Sequence, residues 1–212
     1  MHNWEQHILF GTPVMKAGES YELSKIEQHF IRNIPYEGNV GGGGNRRSVN
    51  SYILRQPELA SLNNYLERQL RVYAHDFLKI KEQAEFYITQ SWTNINPPGA
   101  FHHRHYHPNS LISCIYYVQG SSATNFYRRD KRGGFPLSFN YKEYNTYNST
   151  SYYMAAVPGK SVFFPSDLEH GVADNDTTTD RISLSFNTFV KGDFGSEKAL
   201  DALELGKIWN RR

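Results

Sequence analysis

Four of the nine histidines lie within six residues of this 212-residue chain, at positions 102, 103, 105 and 107. His105 and His107 are two residues apart, and alternate residues of an extended segment project from the same face. Both imidazoles can therefore reach one metal ion. A third ligand has to come from another segment, and His170 is the only histidine beyond position 107. The spacing makes His105, His107 and His170 a candidate three-point metal site.

A set of imidazole ligands restricts which metals the site would hold. Imidazole nitrogen suits iron, copper, nickel or zinc, and three protein ligands leave coordination positions open for a substrate and for oxygen. The alternative is a cluster of surface histidines without a metal. His102 and His103 have no partner at ligand spacing, so we expect them to lie behind the ligands or at the surface.

A second chemical feature follows His170 by 11 residues, where residues 181–190 alternate between apolar and polar side chains. Such alternation is typical of a strand that places one face on the core and the other on a polar pocket. Arg181 and Ser183 share the polar face, and a guanidinium beside a hydroxyl can bind a carboxylate. The alternative is an exposed strand arginine, but the nearby histidine favours an anion-binding pair inside the pocket.

The elements that position these residues change in type near residue 84. Before it, apolar side chains recur at helical spacing over 21–34 and 59–80, and residues 10–14 have the composition of a short strand. After it come runs that are rich in aromatic and β-branched residues, which favour strands. These runs cover 86–95, 111–118, 161–164 and 181–190.

We therefore predict one domain, 1–212, in which a helical layer supports a β core. The expected parts are an α/β support layer over 1–83, a β core over 84–190 and a C-terminal helix within 191–212. Inside the core, residues 128–153 have little strand periodicity and contain five tyrosines between 141 and 153. This segment is predicted to be a long loop or lid.

Composition excludes several classes of protein. A single cysteine rules out an internal disulfide and a cysteine-based zinc site. The N-terminus has no basic leader, and no run approaches the roughly 18 apolar residues of a membrane span. A net charge of +2 gives no indication of a nucleic-acid partner. The prediction is a cytoplasmic globular protein, and its oligomeric state stays open.

Several short motifs together resemble the iron(II)/2-oxoglutarate-dependent dioxygenases. The motifs are His105-Tyr106-His107, Cys114-Ile115-Tyr116-Tyr117-Val118, Phe163-Phe164-Pro165-Ser166, His170 and Arg181-Ile182-Ser183. They are most similar to a bacterial and phage branch of the family, with the prolyl hydroxylases as more distant relatives. The similarity runs from about residue 92 to residue 187, so it leaves the first 90 residues without an interpretation.

The resemblance implies a mainly β fold with flanking α-helices, the double-stranded β-helix. It implies Fe(II) at His105 and His170, and the distal carboxylate of 2-oxoglutarate at Arg181. Tyr117 and Ser183 match positions that contact the same carboxylate in family members. The implied enzyme is a dioxygenase that decarboxylates 2-oxoglutarate to succinate and uses dioxygen to hydroxylate a C–H bond. A peptide or protein, with proline as one candidate residue, or a small molecule would be the primary substrate.

The chain departs from the family at the third ligand position. The usual motif is His-x-Asp or His-x-Glu, whereas the residue here is His107. Either the site holds three histidines, or Asp167 or Glu169 supplies the carboxylate. A neutral third ligand would leave the metal site one unit more positive.

Cupins are an alternative for the same residues, because residues 99–107 fit the first half of their motif and residues 159–170 resemble the second. The glutamate that cupins carry shortly after the second histidine is absent, and the Arg181-x-Ser183 pair favours the oxygenase. The alternatives are thus a cupin-like metal enzyme that does not use 2-oxoglutarate, or a non-catalytic metal-binding protein.

Overall fold

Strands are the main regular structure of the described residues, with two helices near the N-terminus. The computed structural model describes residues 5, 7, 11–41, 43–128, 137 and 139–206. The strands are β1 (Met15–Lys16), β2 (Tyr36–Gly38), β3 (Arg46–Ser48), β4 (Glu85–Asn96), β5 (His102–His105), β6 (Ile112–Gln119), β7 (Thr124–Tyr127), β8 (Ser151–Met154), β9 (Ser161–Pro165), β10 (His170–Val172), β11 (Arg181–Phe194) and β12 (Leu203–Leu205). The helices are α1 (Lys25–Asn33) and α2 (Ala60–Arg71), and α2 continues into a π-helical turn, Val72–Phe77. Short 3-10 turns cover Ile53–Arg55, Pro57–Leu59 and Glu197–Ala199.

The strands form two antiparallel sheets. The larger sheet has the order β1-β9-β6-β11-β4-β3-β2, with β12 paired to the end of β11, and the smaller sheet has the order β5-β10-β7-β8. From β4 to β11 the chain passes back and forth between the sheets, so neighbours in sequence often lie in different sheets. This arrangement is the double-stranded β-helix, and it confirms the predicted fold class.

The two faces of strand β11 contact different parts of the molecule. Its apolar residues Ile182, Leu184 and Phe186 are buried in the same cluster as the apolar faces of α1 and α2. The alternate residues, Arg181 and Ser183, point to the space between the sheets and line a cavity there. The predicted alternation of this strand is therefore confirmed, and it places the polar face inward.

Helix α1 begins and ends where its local sequence dictates. Ser24 caps α1, because its hydroxyl accepts the Glu27 N–H while the Glu27 carboxylate accepts the Ser24 N–H. Because Ser24 is the cap, α1 begins at Lys25 and is shorter than the predicted 21–34, and it ends at Asn33, before Pro35. The Glu27 carboxylate also accepts the backbone N–H of Leu62, which ties α1 to the start of α2.

The C-terminal prediction is wrong over the described residues. Instead of a helix within 191–212, β11 extends to Phe194 and pairs with β12 in an antiparallel ladder. Gly192 and Gly195 have φ of 131° and 68°, which no α-helix contains, and Leu200 at 58° turns the chain back. Residues 207–212 lie outside the described residues.

Two further boundaries differ from the sequence prediction. The strand expected at 10–14 does not form over 11–14, and pairing begins instead at Met15, opposite Phe163 of β9. The segment 128–153 ends in strand β8, while its described part from 139 to 150 consists of turns and irregular chain. Residue 10, residues 129–136 and residue 138 lie outside the described residues. No helix in the described part of the chain is long and apolar enough to cross a membrane.

Candidate functional site

Three histidines meet where β5 and β10 pair. His105 is the last residue of β5, His170 is the first of β10, and the two are directly opposite in the antiparallel ladder. His107 lies two residues beyond β5. One ligand nitrogen from each of the three histidines lies within 4.8 Å of the others. The structure therefore brings together the three residues that the sequence spacing selected.

Backbone contacts orient two of the three imidazoles. The Nδ1 atoms of His105 and His170 lie 2.8 and 2.9 Å from the carbonyl oxygens of His103 and Leu168. A carbonyl oxygen only accepts, so each Nδ1 carries the proton and donates it. The Nε2 lone pair of each ring is then left for a metal ion, which is how metal-binding histidines are usually held.

Burial keeps these histidines uncharged. Desolvation, with the neighbouring His105 as a smaller cause, lowers the pKa of His107 to about 4. Burial also lowers the pKa of His105, and that of His170 falls well below its usual value. A cation requires the neutral ring, because a protonated imidazole has no free lone pair. The cluster is thus already in the form that binds a metal.

Neither of the two candidate carboxylates joins the cluster. Glu169 forms an ion pair with Arg104, and Asp167 is exposed. Among the described residues, the groups of close ligand atoms that could hold a metal consist of histidines alone. The ligand set that the geometry offers is therefore three neutral imidazoles.

Arg181 is a buried cation with uncharged partners. It is 2% exposed, and its guanidinium donates to the Ser122 carbonyl at 3.0 Å, the Ser183 hydroxyl at 3.0 Å and the Thr124 hydroxyl at 3.2 Å. Burial lowers its pKa. Gly120 allows this packing, because a Cβ there would lie 2.9 Å from the Arg181 Cα. A guanidinium has five N–H donors, so it retains donors for an anion, and an anion would offset the cost of burying its charge.

Tyr117 supports Arg181 from one side. Its ring centroid lies 5.5 Å from the guanidinium carbon, and its hydroxyl donates to the Thr124 hydroxyl oxygen at 2.9 Å. Thr124 therefore accepts hydrogen bonds from both Tyr117 and Arg181. Tyr117 is fully buried and lies opposite Ser183 in the β6–β11 ladder. It acts on the guanidinium both through its ring and through Thr124.

Arg181 and the three histidines line one cavity. The space between the sheets is about 350 Å³, including the part open to solvent. Its lining residues are Trp92, Asn94, His102, His105, His107, Ile115, His170, Gly171, Val172, Arg181, Ser183 and Ser185. No acidic residue is among them, so a bound anion would face Arg181 without a competing carboxylate. Sequence reasoning missed Trp92 and Asn94, which enter the cavity because they pair across the sheet with Ser185 and Ser183.

A second histidine group shares His105. One ligand nitrogen each of His102, His103 and His105 also lies within 4.8 Å of the others. However, Nε2 of His102 lies 3.2 Å from the Asn39 amide nitrogen, which donates to it, so that lone pair is occupied. His102 was expected behind the ligands or at the surface, and the structure places it on the cavity wall. The group with His107 and His170 is the better metal site.

The low histidine pKa values predict an acid-sensitive apo protein. Burial lowers the pKa of His102 to about 3 and that of His107 to about 4 from an ordinary 6.5. Below pH 6.5 the unfolded chain therefore binds more protons than the folded one, and stability falls as pH falls. Both rings keep some solvent contact, which reduces the effect. We expect the linked protonation of His102 and His107 to lower the free energy of unfolding by about 2 kcal/mol as the pH falls from 7 to 5.

Chemical denaturation at several pH values measures this loss. A double variant, His102→Asn with His107→Asn, should lose less stability over the same interval. Equal losses in the variant and the unsubstituted protein would contradict the assignment of these two rings.

Comparison with known proteins agrees with the geometry. Residues 90–187 match the model of the family described as "Putative 2OG-Fe(II) oxygenase". No curated protein sequence matches this chain. Among solved structures, the chain is similar to a 2OG-Fe(II) oxygenase family oxidoreductase from Burkholderia pseudomallei, at 12% identity and a TM-score of 0.58, covering 82% of this chain and 83% of the other.

Two further structures share the fold. A prolyl-4-hydroxylase from Pseudomonas putida aligns at 15% identity and a TM-score of 0.53, covering 83% of this chain and 92% of that one. The non-heme alpha ketoglutarate dependent carbocyclase SnoK, from nogalamycin biosynthesis, aligns at 11% identity and a TM-score of 0.61, covering 95% and 90%. At these identities the structural likeness shows the fold, and the family comes from the matched sequence segment. Residues 90–187, which carry most of the β-helix core with the three histidines and Arg181, therefore match the 2OG-Fe(II) oxygenase family.

Proposed function

We propose that this oxygenase is a hydroxylase in which His105, His107 and His170 bind Fe(II) and Arg181 binds the distal carboxylate of 2-oxoglutarate. One observation carries the proposal: the neutral histidine cluster and a buried arginine whose hydrogen-bond partners are uncharged line the same cavity. A metal site alone would not explain why a charged arginine is buried in the same cavity. An anion site alone would leave three uncharged imidazoles with converging lone pairs unexplained.

The donor chemistry fits the group. Imidazole nitrogen is a good ligand for Fe(II), and three protein ligands leave room for a chelating keto acid and for oxygen. Bound Fe(II) would activate dioxygen, the oxidant, so that one oxygen atom enters succinate as 2-oxoglutarate loses carbon dioxide and the other enters the hydroxylated substrate. The solved structures that share this fold include proteins described with nickel or Fe3+ together with this keto acid.

The chain's own residues have separate tasks in this proposal. Arg181 donates charge-assisted hydrogen bonds to the distal carboxylate, and Ser183, already held by Arg181, offers its hydroxyl beside it. Tyr117 and Thr124 fix the guanidinium from behind. Trp92 and Ile115 give the cavity apolar walls, which limit the water that reaches the reacting centre.

The primary substrate is proposed to be a peptide or protein side chain, with a small molecule as the alternative. The similar folds include a prolyl-4-hydroxylase and a carbocyclase from nogalamycin biosynthesis, and these two relatives support the two candidate classes of substrate. The tyrosine-rich segment leaves the smaller sheet beside the histidines, because the Tyr127 N–H donates to the carbonyl of Glu169 at 2.9 Å. Tyr144, Tyr152 and Tyr153 of this segment are exposed, so they are available to contact a bound chain. We further propose a cytoplasmic location.

Substitution of the unusual ligand gives one prediction. His107→Asp should keep metal binding, with Fe(II) affinity at least equal to that of the unsubstituted protein, because the carboxylate restores the common ligand set and adds a negative charge. Calorimetric titration with Fe(II) under anaerobic conditions measures the affinity. His107→Ala is the matched control and should bind Fe(II) more weakly. Loss of the metal in His107→Asp, with the circular dichroism spectrum unchanged, would mean that the third ligand is another residue.

Turnover without a primary substrate tests the proposed function. The protein is loaded anaerobically with Fe(II) and 2-oxoglutarate, exposed to oxygen and assayed for succinate. We expect slow succinate formation that needs all three components. Metal binding without any affinity for 2-oxoglutarate would favour the cupin-like enzyme, and binding of both without succinate would favour a non-catalytic protein.

A further inference from the structure

His107 lies outside the strand ladders that hold the other two histidines. Its backbone N–H donates instead to the carbonyl oxygen of Ser166 at 2.9 Å. Ser166 directly follows β9 and precedes His170 by four residues. One residue therefore connects the two segments that carry His107 and His170.

The Ser166 side chain is the centre of a chain of buried hydroxyls. Its Oγ lies 2.7 Å from the Ser110 Oγ and 2.8 Å from the Ser113 Oγ. The Ser113 hydroxyl donates to the Asn187 Oδ1 at 3.0 Å, and the Thr188 N–H donates to the Ser110 Oγ at 3.1 Å. We call Ser110, Ser166 and Ser113 the serine chain.

The proton order in the serine chain follows from its ends. A hydroxyl has one proton, and Ser113 donates its own to Asn187, so Ser113 accepts from Ser166. The Ser110 proton then points to Ser166 at 2.7 Å, with the Ile112 carbonyl oxygen, 3.3 Å from the Ser110 Oγ, as a second acceptor. Along this order each of the three hydroxyls supplies its one proton and accepts one hydrogen bond. Removal of the central hydroxyl would leave the Ser113 oxygen without its donor in the interior and the Ser110 proton with only its longer contact to the Ile112 carbonyl, which is costly.

The serine chain joins the His107 segment to the larger sheet. Ser113 and Asn187 face each other across β6 and β11, and the Ser166 N–H donates to the Leu111 carbonyl at 3.0 Å. No member of the serine chain is among the residues that line the cavity. Any effect it has on metal binding must therefore pass through the residues that its segments carry, and His107 is the ligand whose backbone Ser166 contacts.

We infer that Ser166 is a positioning residue of the metal site, and that its hydroxyl, through the serine chain, holds His107 at ligand distance from His105 and His170. The inference rests on the proposed function, since it takes His107 as a ligand. Partners that orient a metal ligand without touching the metal commonly change metal affinity 10- to 100-fold when they are replaced. The hydroxyl of Ser166 is expected to act in this way.

Two serine variants test the inference on the metal alone. Ser166→Ala removes the central hydroxyl, and Ser48→Ala is the matched control. Ser48 is also fully buried and its hydroxyl also makes two hydrogen bonds, to the Asn50 carbonyl and from the Thr93 N–H, but it lies on β3 outside the cavity. Co(II) affinity is measured by calorimetry, Co(II) geometry by the visible ligand-field spectrum, and stability by thermal unfolding.

We expect Ser166→Ala to bind Co(II) about 10- to 100-fold more weakly and to change its spectrum. Ser48→Ala should lose similar thermal stability while keeping the affinity and the spectrum. Equal Co(II) binding in Ser166→Ala and in the unsubstituted protein would overturn the inference and leave the proposed function standing. No Co(II) binding by the unsubstituted protein would instead contradict the proposed function.

A second variant covers the case in which Ser166→Ala does not fold. Ser113→Ala leaves the Ser166 backbone contact with His107 in place, and it removes the acceptor of the Ser166 proton together with the hydrogen bond to Asn187. We expect a weaker change of the same kind, with Co(II) affinity reduced and the spectrum altered. Unchanged affinity and spectrum in this variant would overturn the role of the serine chain.

Discussion

Replacement of Arg181 by alanine is expected to weaken 2-oxoglutarate binding by about 10- to 100-fold, which corresponds to about 1.5–3 kcal/mol for a hydrogen bond to a charged group. Arg181 is the charged residue in the cavity lining, so the variant leaves the distal carboxylate without a counter-charge. Metal affinity should be nearly unchanged, because Arg181 is not part of the histidine cluster. Anaerobic calorimetry of the metal-loaded protein measures both affinities.

Three further variants define the specificity of that result. Arg181→Lys should recover little of the loss, because an ammonium cannot reproduce the planar fork of a guanidinium. Tyr117→Phe should give a smaller loss, since it removes only the hydroxyl that donates a hydrogen bond to Thr124 and keeps the ring beside the guanidinium. Arg32→Ala, which deletes a surface guanidinium hydrogen-bonded to Gln119, should bind 2-oxoglutarate normally. Full affinity in Arg181→Ala would contradict the oxygenase assignment of this residue.

Replacement of His170 by alanine is expected to abolish tight metal binding, with a loss of at least about 100-fold. Partners that only orient a ligand already account for 10- to 100-fold in metal affinity, so loss of the ligand itself should cost no less. His170 is 4% exposed and its Nδ1 donates to the Leu168 carbonyl, so the variant removes an Nε2 that is oriented for the metal. Metal content after anaerobic loading and desalting, measured by plasma emission, reports the loss.

The matched control is His75→Ala. His75 is a half-buried histidine whose Nδ1 also contacts a backbone carbonyl, that of Ile80, but it follows α2 on the far side of the larger sheet. This variant should retain metal at the level of the unsubstituted protein. Full metal content in His170→Ala would show that His170 is not a ligand.

The residues of the site could be predicted from sequence where a short-range rule applies. The two-residue spacing of His105 and His107 and the alternation of residues 181–186 both follow from strand geometry. His170 required only elimination, because it is the last histidine in the chain. The sequence leaves the identity of the third metal ligand open between a histidine and a carboxylate. The fold excludes Glu169 from the cluster, because Glu169 pairs with Arg104.

The supporting residues could not be predicted, because their contacts join distant segments. Thr124 meets Arg181 across 57 residues, and Ser166 meets Ser110 across 56. Strands β7 and β10 are only four and three residues long, which is too short for an alternation to be recognised. Similarly, the pairing of β12 with β11 depends on a turn with positive φ at Gly195 and Leu200, and the three residues of β12 are too few to show a periodic pattern.

The central claim is that one cavity holds Fe(II) on three histidines and 2-oxoglutarate on Arg181. Crystals grown anaerobically with Fe(II) and 2-oxoglutarate test it most directly, because anomalous scattering at the iron edge locates the metal. We expect one iron peak among the Nε2 atoms of His105 and His170 and a ring nitrogen of His107, with the distal carboxylate of 2-oxoglutarate on the Arg181 guanidinium. An iron peak bound by a carboxylate from elsewhere in the chain, or a keto acid that does not reach Arg181, would contradict the account.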